Sequence, residues 1–215
     1  DVDERGQQVL RMGAVYRRGE GTVAWVGGRA YEDEGVVDLI EKIAAKAEDE
    51  GSRRRIRHGR DFETLTHFLM HPYWYRVWFI QELALSREIV ILAGRKQTTW
   101  DKIQEGVPCL KRKSSATLHL DDLEKLRRDA RESKPIRLLE ALFRSWVALA
   151  SDSHDRIFAL FGLTYDDSIY VSHPNYSTPV ADLWQAMTVS ALGWTKDLDT
   201  IVFLGNDSGD FKEPT

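Results

Sequence analysis

Apolar and polar positions follow two periods along this chain, one near 3.6 residues and one near 2. From Glu4 to Arg18, Val9, Met12, Val15 and Tyr16 recur at helical spacing, and Asp1, Asp3 and Glu4 suit the positive end of a helix dipole. Gly19 and Gly21 end that helix. Thr22 to Val26 is β-prone and stops at Gly27-Gly28, which predicts a buried strand. Val36 to Glu48 predicts a second helix, with Val36, Ile40, Ile43 and Ala47 as its apolar stripe and Asp38 paired to Lys42 one turn on. Residues 48–60 segregate acidic from arginine-rich halves and read as a solvated connector. Phe62 to Met70 looks helical. Pro72 restarts the pattern, and Tyr73 to Leu85 follows as one aromatic helix. Glu88 to Ala93, ended by Gly94, is the clearest strand. Leu118 to Ala130 predicts a charged amphipathic helix, and after Pro135 the residues Leu138, Leu139, Leu142, Trp146 and Leu149 predict another. Asp152 is placed to cap a short helix holding Ile157, Phe158, Leu160 and Phe161, with Gly162 as its stop. Thr178 and Pro179 open a helix with Val180, Leu183, Trp184, Met187 and Ala191 on one face, and Thr200 to Leu204 predicts a last short strand.

Helices outnumber strands and alternate with them at the start, which favours an α/β fold. The 215 residues suit one large domain, and 42% apolar residues suffice for a core. No apolar run approaches the ~20 residues of a membrane helix. Lys and Arg number 30 against 34 Asp and Glu, a net charge of −4, which argues against broad nucleic-acid binding. The only cysteine, Cys109, excludes an internal disulfide framework and a Cys-rich zinc site and reads as structural. No basic-then-apolar leader opens the chain, so the expectation is a soluble, cytoplasmic protein without membrane or nucleic-acid partners. The chain opens at Asp1 without methionine and reads as a piece of a longer protein.

Familiar phosphate-, nucleotide- and hydrolase-type motifs are absent. Gly27-Gly28-Arg29 follows a strand, where α/β folds bind ligands, but two glycines also make a plain turn. His67 and His71 have zinc-ligand spacing with no third ligand nearby, and read as surface histidines. Glu82 stands out. Its helical neighbours at three and four residues are Trp78, Phe79, Leu85 and Ser86, none of them basic. On a continuous helix Trp74 and Trp78 lie on the same side as Glu82, within about 80° of it. A carboxylate among tryptophans either faces a ligand, desolvated and suited to acid–base work or to stabilising a cation, or bridges to an arginine from elsewhere, such as Arg76 or Arg156. Asp155-Arg156 reads as a helix cap and a tie between elements. Trp25, Trp146 and Trp184 sit in apolar stripes and read as core.

Four stretches resemble the fungal heterokaryon-incompatibility (HET) domain. They are Asp3-Glu4-Arg5-Gly6-Gln7-Gln8-Val9 through Met12, Tyr16 and Val23-Ala24-Trp25-Val26-Gly27; Tyr75-Arg76-Val77-Trp78-Phe79-Ile80-Gln81-Glu82-Leu83-Ala84; His154-Asp155-Arg156 through Leu163; and Pro174-Asn175-Tyr176-Ser177-Thr178-Pro179-Val180. Gly6 and Asn175 depart from the Ser and Asp usual at those positions. The resemblance places one domain over residues 1–205 and a tail or linker over 206–215. It implies a TIR-like, flavodoxin-like parallel sheet with many added helices, lacking its first strands.

The same resemblance implies a role in self/non-self recognition and programmed cell death in filamentous fungi. Many TIR domains cleave NAD+ with a glutamate in a W-x-x-x-E pattern, and Trp78 to Glu82 has that spacing. By that analogy Glu82 is the catalytic carboxylate, Trp78 walls the site, and Arg76 or Gln81 orients NAD+, which enters as substrate rather than cofactor. Asp155, Arg156 and Trp25 would be structural, no metal is implied, and self-association is the expected partnership. The rival reading is a non-enzymatic signalling and oligomerisation module.

Overall fold

The computed structural model describes residues 2–27, 32–45, 60–106 and 115–195. In chain order, α1 (Val2–Arg18) leads into β1 (Thr22–Trp25), α2 (Glu32–Ala44) and α3 (Arg60–Leu69). A 3-10 turn (Pro72–Tyr75) precedes α4 (Val77–Leu85). The strands β2 (Ile89–Ala93) and β3 (Lys96–Thr99) form a hairpin. Then come α5 (Trp100–Gly106), α6 (Ser115–Arg131), α7 (Leu138–Arg144), two one-turn helices α8 (Asp155–Phe158) and α9 (Asp167–Tyr170), and α10 (Val180–Thr195).

The α/β class is the one the alternation predicts. The sheet is small and mixed: in the order β1-β2-β3, β1 runs parallel to β2 and β3 antiparallel. The polar segment Lys96–Thr99 gives no apolar alternation, so β3 leaves no signal in the sequence. Its turn is made by Gly94 and Arg95, with Gly94 at φ +61°, where glycine carries no Cβ penalty. Thr22, Ala24, Ile89, Ile91 and Thr98 share one face of the sheet, which α2 and α5 cover.

The other face carries Val23 and Trp25, paired with Val90 and Leu92. Trp25 is 68% exposed, so the expected buried strand is buried at Ala24 and not at Trp25. The reason is its place: β1 borders the sheet, pairs only with β2 among the described residues, and turns alternate side chains away from α2. Trp146 is likewise 63% exposed. The predicted helix through Leu149 stops at Arg144, where the Ser145 hydroxyl donates to the Ala141 carbonyl at 2.7 Å and the chain turns off. Trp184 is buried as expected.

The aromatic helix predicted over 73–85 is broken. Arg76 is extended (φ −65°, ψ 125°) and bridges to Leu149, whose carbonyl accepts the Val77 N–H at 2.9 Å and whose own N–H donates to Tyr75. A tertiary pairing therefore overrides helical periodicity. Trp74 and Trp78 consequently share no helix face: Trp74 sits in the core and donates its indole N–H to the Phe68 carbonyl at 2.7 Å, while Trp78 opens α4. Asp38 pairs with Lys96 at 2.6 Å rather than with Lys42, because β3 passes beside α2. Gly28-Arg29, Ala47, the charged connector up to residue 59, Cys109, Thr200 to Leu204 and the tail lie outside the described residues. Among the described residues no helix is long and apolar enough to cross a membrane.

Candidate functional site

The helix α4 occupies the middle of the core. Val77, Phe79, Ile80, Leu83 and Ala84 are buried, and the helix packs chiefly on α6, whose Leu120, Leu123 and Leu126 are buried too. Its C-terminal carbonyls are collected by one buried cation. Arg127 of α6 donates to the Leu83 carbonyl, to Ser86 at 3.1 Å and to Arg87 at 3.4 Å, satisfying acceptors the helix end leaves open. Gln81 is fully buried and donates its side-chain amide to the Phe161 carbonyl. Trp78 donates its indole N–H to Asp155 at 3.1 Å. Glu82, one turn after Trp78, is the acidic side chain of α4 and is held on this anchored element.

Glu82 is half-buried. Its carboxylate accepts the Tyr73 hydroxyl at 3.1 Å, and Tyr16 of α1 also interacts with it. Burial raises its pKa above the usual carboxylate value, while the Tyr73 hydrogen bond, the Arg76 charge and Tyr16 pull it back. Burial also pushes both phenols up, Tyr16 to about 12, with the Glu82 charge adding to the effect. Both hydroxyls therefore remain donors at neutral pH. The Arg76 guanidinium lies 5.2 Å from the Tyr73 ring centroid, a cation–π distance. No ion pair within 4.0 Å reaches Glu82 among the described residues. Arg156, one of the two arginines considered as its partner, donates instead to the carbonyls of Trp146 (2.9 Å) and Ala148 (3.2 Å), across the loop between α7 and α8.

A second cluster sits one turn of α4 away, around Asp155. The expected helix cap is not what this side chain does: α8 starts at Asp155, with His154 at the N-cap position and no side-chain capping bond. Instead the buried carboxylate accepts from Trp78, from the Tyr176 hydroxyl at 2.6 Å and from Arg5 at 3.2 and 3.3 Å. Arg5 also pairs with Asp152 at 2.7 Å and lies over the Tyr176 ring at 3.6 Å. Asp152 accepts the His154 backbone N–H at 3.0 Å and faces its Nδ1 at 2.6 Å. Burial acts upward on Asp152, but the bonds from His154 and Arg5 hold its pKa below the usual value. Two helix glycines let α1 approach this closely. A Cβ at Gly6 would meet the Pro174 carbonyl oxygen at 2.5 Å, and one at Gly13 would meet Gly162 Cα at 3.1 Å.

The structure thus brings Glu82, Arg76 and Trp78 to one side of α4 and its preceding turn, with Gln81 in the core and Trp25 on the sheet's open face. Sequence spacing does not mark Tyr16, Tyr73, Arg5 or Tyr176 as site residues. All but Tyr73 lie inside the motif stretches. His71 uses Nδ1 to accept the Tyr73 N–H at 3.2 Å, and His67 is exposed at the end of α3. Among the described residues no three His, Cys, Asp or Glu side chains gather as a metal site.

Residues 1–82 match the family model described as heterokaryon incompatibility protein (HET). No curated protein and no solved structure matches the chain. The matched segment holds Arg5, Tyr16, Arg76, Trp78 and Glu82, so both clusters draw on it. Over residues 1–82 the chain is thus similar to the heterokaryon incompatibility (HET) family.

Proposed function

We propose that this protein is a cell-death effector of heterokaryon incompatibility that hydrolyses NAD+ at Glu82. The observation that carries the reading is a desolvated carboxylate, presented on an anchored helix, bonded by a phenol and bound in no ion pair among the described residues. Such a group can meet a developing cation without first breaking a salt bridge.

In the proposed reaction the ribose C1–nicotinamide nitrogen bond breaks. Its electron pair leaves with nicotinamide, which departs neutral. Positive charge builds on C1 and the ring oxygen, and the Glu82 carboxylate stabilises it. Water then adds to C1 and loses one proton, giving ADP-ribose, nicotinamide and H+. Tyr73 and Tyr16 hold the carboxylate in place, and the positive charge of Arg76 suits the pyrophosphate of the substrate. Self-association and a cytoplasmic setting belong to the same reading.

The test is nicotinamide release from NAD+ by the full chain, concentrated enough to self-associate, beside Glu82→Gln. Loss of about 10²–10³-fold in a folded variant supports the reading. A folded wild-type protein without turnover contradicts it. A second reading, a non-enzymatic signalling and oligomerisation module, draws on the exposed Val23 and Trp25, whose apolar surface suits a protein contact. It requires assembly without nucleotide consumption.

A further inference from the structure

Two helices frame Glu82, and one side chain reaches both. On α1, Arg5 and Tyr16 are eleven residues apart, about 20° from alignment on the helix, so they share a face. Tyr16 couples to Glu82 at one end, and Arg5 binds Asp155 at the other. On α4, Trp78 and Glu82 are one turn apart and also share a face. Trp78 binds the same Asp155 that Arg5 binds. Asp155 is 6% exposed, and its two oxygens take one cation and two neutral donors. Its bonds span 150 residues to Arg5, 77 to Trp78 and 21 to Tyr176, so no local structure requires them. The two helices pack on each other directly, and Gly6 and Gly13 seat α1 tightly from the side of Pro174 and Gly162. A shift of Asp155 would therefore move both helices relative to one another.

We propose that Asp155 is a positioning residue for Glu82: through Trp78 on α4 and Arg5 on α1 it fixes the placement of the Glu82 carboxylate against Tyr16 and Tyr73. This rests on Glu82 being the working carboxylate. It gives Trp78 the task of a link as well as a wall. A buried charge-assisted cluster of this kind locks geometry when all its members are satisfied. Reactive geometry is sensitive to small displacements, and about 1 Å of misplacement can cost roughly a hundredfold in rate.

The experiment uses the full chain in four forms: wild type, Asp155→Asn, Trp78→Phe and Asp152→Asn. Trp78→Phe keeps an aromatic ring while removing the N–H donor together with part of the indole's bulk, and it carries the test if Asp155→Asn does not fold. Asp152→Asn perturbs the same Arg5 without touching Trp78 and serves as control. Two quantities are read: the titration midpoint of the Glu82 carboxyl carbon by NMR, and nicotinamide release. Burial is the largest cause of the raised Glu82 value, so loosened helices that admit water should lower the midpoint. The expected result is a lowered midpoint in the folded Asp155 or Trp78 variant, with little change in the control. Where wild type turns over NAD+, kcat should fall about 10–100-fold with KM nearly unchanged. A midpoint that stays put or rises in both variants overturns the proposal. A wild type that leaves NAD+ intact, with the midpoint still lowered in the variants, overturns the hydrolase reading and leaves the positioning role standing.

Discussion

Adding one carbon at Gly6 should destabilise this protein, whereas adding it at Gly35 should stabilise it. Both glycines lie in helices, where alanine is favoured by up to about 1 kcal/mol. At Gly35 nothing lies within 4 Å of the new Cβ, so the propensity gain is unopposed. At Gly6 the Cβ would stand 2.5 Å from the Pro174 carbonyl oxygen, well inside any ordinary contact. Pro174 cannot yield freely, because two residues on Tyr176 is bonded to Asp155 and stacked under Arg5. Overpacking of this kind costs about 1–3 kcal/mol, so Gly6→Ala should lose about 1 kcal/mol net or more. For a domain of this size that is a fall in Tm of roughly 2–4 °C, against a rise of up to roughly 2–4 °C for Gly35→Ala. Calorimetric melting of the two variants beside wild type measures both. A Gly6→Ala protein that melts at or above wild type would refute the close seating of α1 on the Pro174 loop, and with it the geometry of the Asp155 cluster.

Arg127→Met keeps the apolar stem and removes the donors to Leu83, Ser86 and Arg87; it should cost about 3 kcal/mol, read as a Tm fall of roughly 6–12 °C. His119 is buried with Nε2 against the Trp74 carbonyl, and burial lowers its pKa. A lowered histidine pKa means the unfolded chain binds the extra proton more readily. The contribution is therefore complete above about pH 6.5 and is lost as pH falls from there toward the lowered native value. Denaturant midpoints should decline over that window in wild type and decline less in His119→Gln. Tyr73→Phe removes a hydrogen bond that favours ionised Glu82, so the acid limb of nicotinamide release should move to higher pH.

Elements with sustained periodicity were legible in the sequence. The helices over 2–18, 115–131 and 180–195 and the strand at 89–93 fall where apolar spacing and caps put them. What the sequence concealed depends on partners far along the chain. The break at Arg76 is made by Leu149, more than seventy residues away, and no local propensity announces it. The exposure of Trp25 follows from the border position of β1, which alternation alone cannot reveal. Lys96–Thr99 becomes a strand because Gly94 turns the chain back onto β2. At the site, the lack of a helical partner for Glu82 was readable from spacing, whereas its phenol partners were not. Tyr73 reaches it from the 3-10 turn and Tyr16 from another helix. Asp155 looked like a cap because its sequence neighbours suit one; its actual donors come from three other segments.

Nicotinamide release by the full chain, followed across pH in wild type and Glu82→Gln at equal thermal stability, tests the central claim most directly. The account predicts turnover whose acid limb lies above the usual carboxylate range, because Glu82 must be ionised to stabilise the ribosyl cation, and no such limb in the variant. A folded, self-associated wild type that releases no nicotinamide at any pH, or a limb that persists in Glu82→Gln, would contradict it.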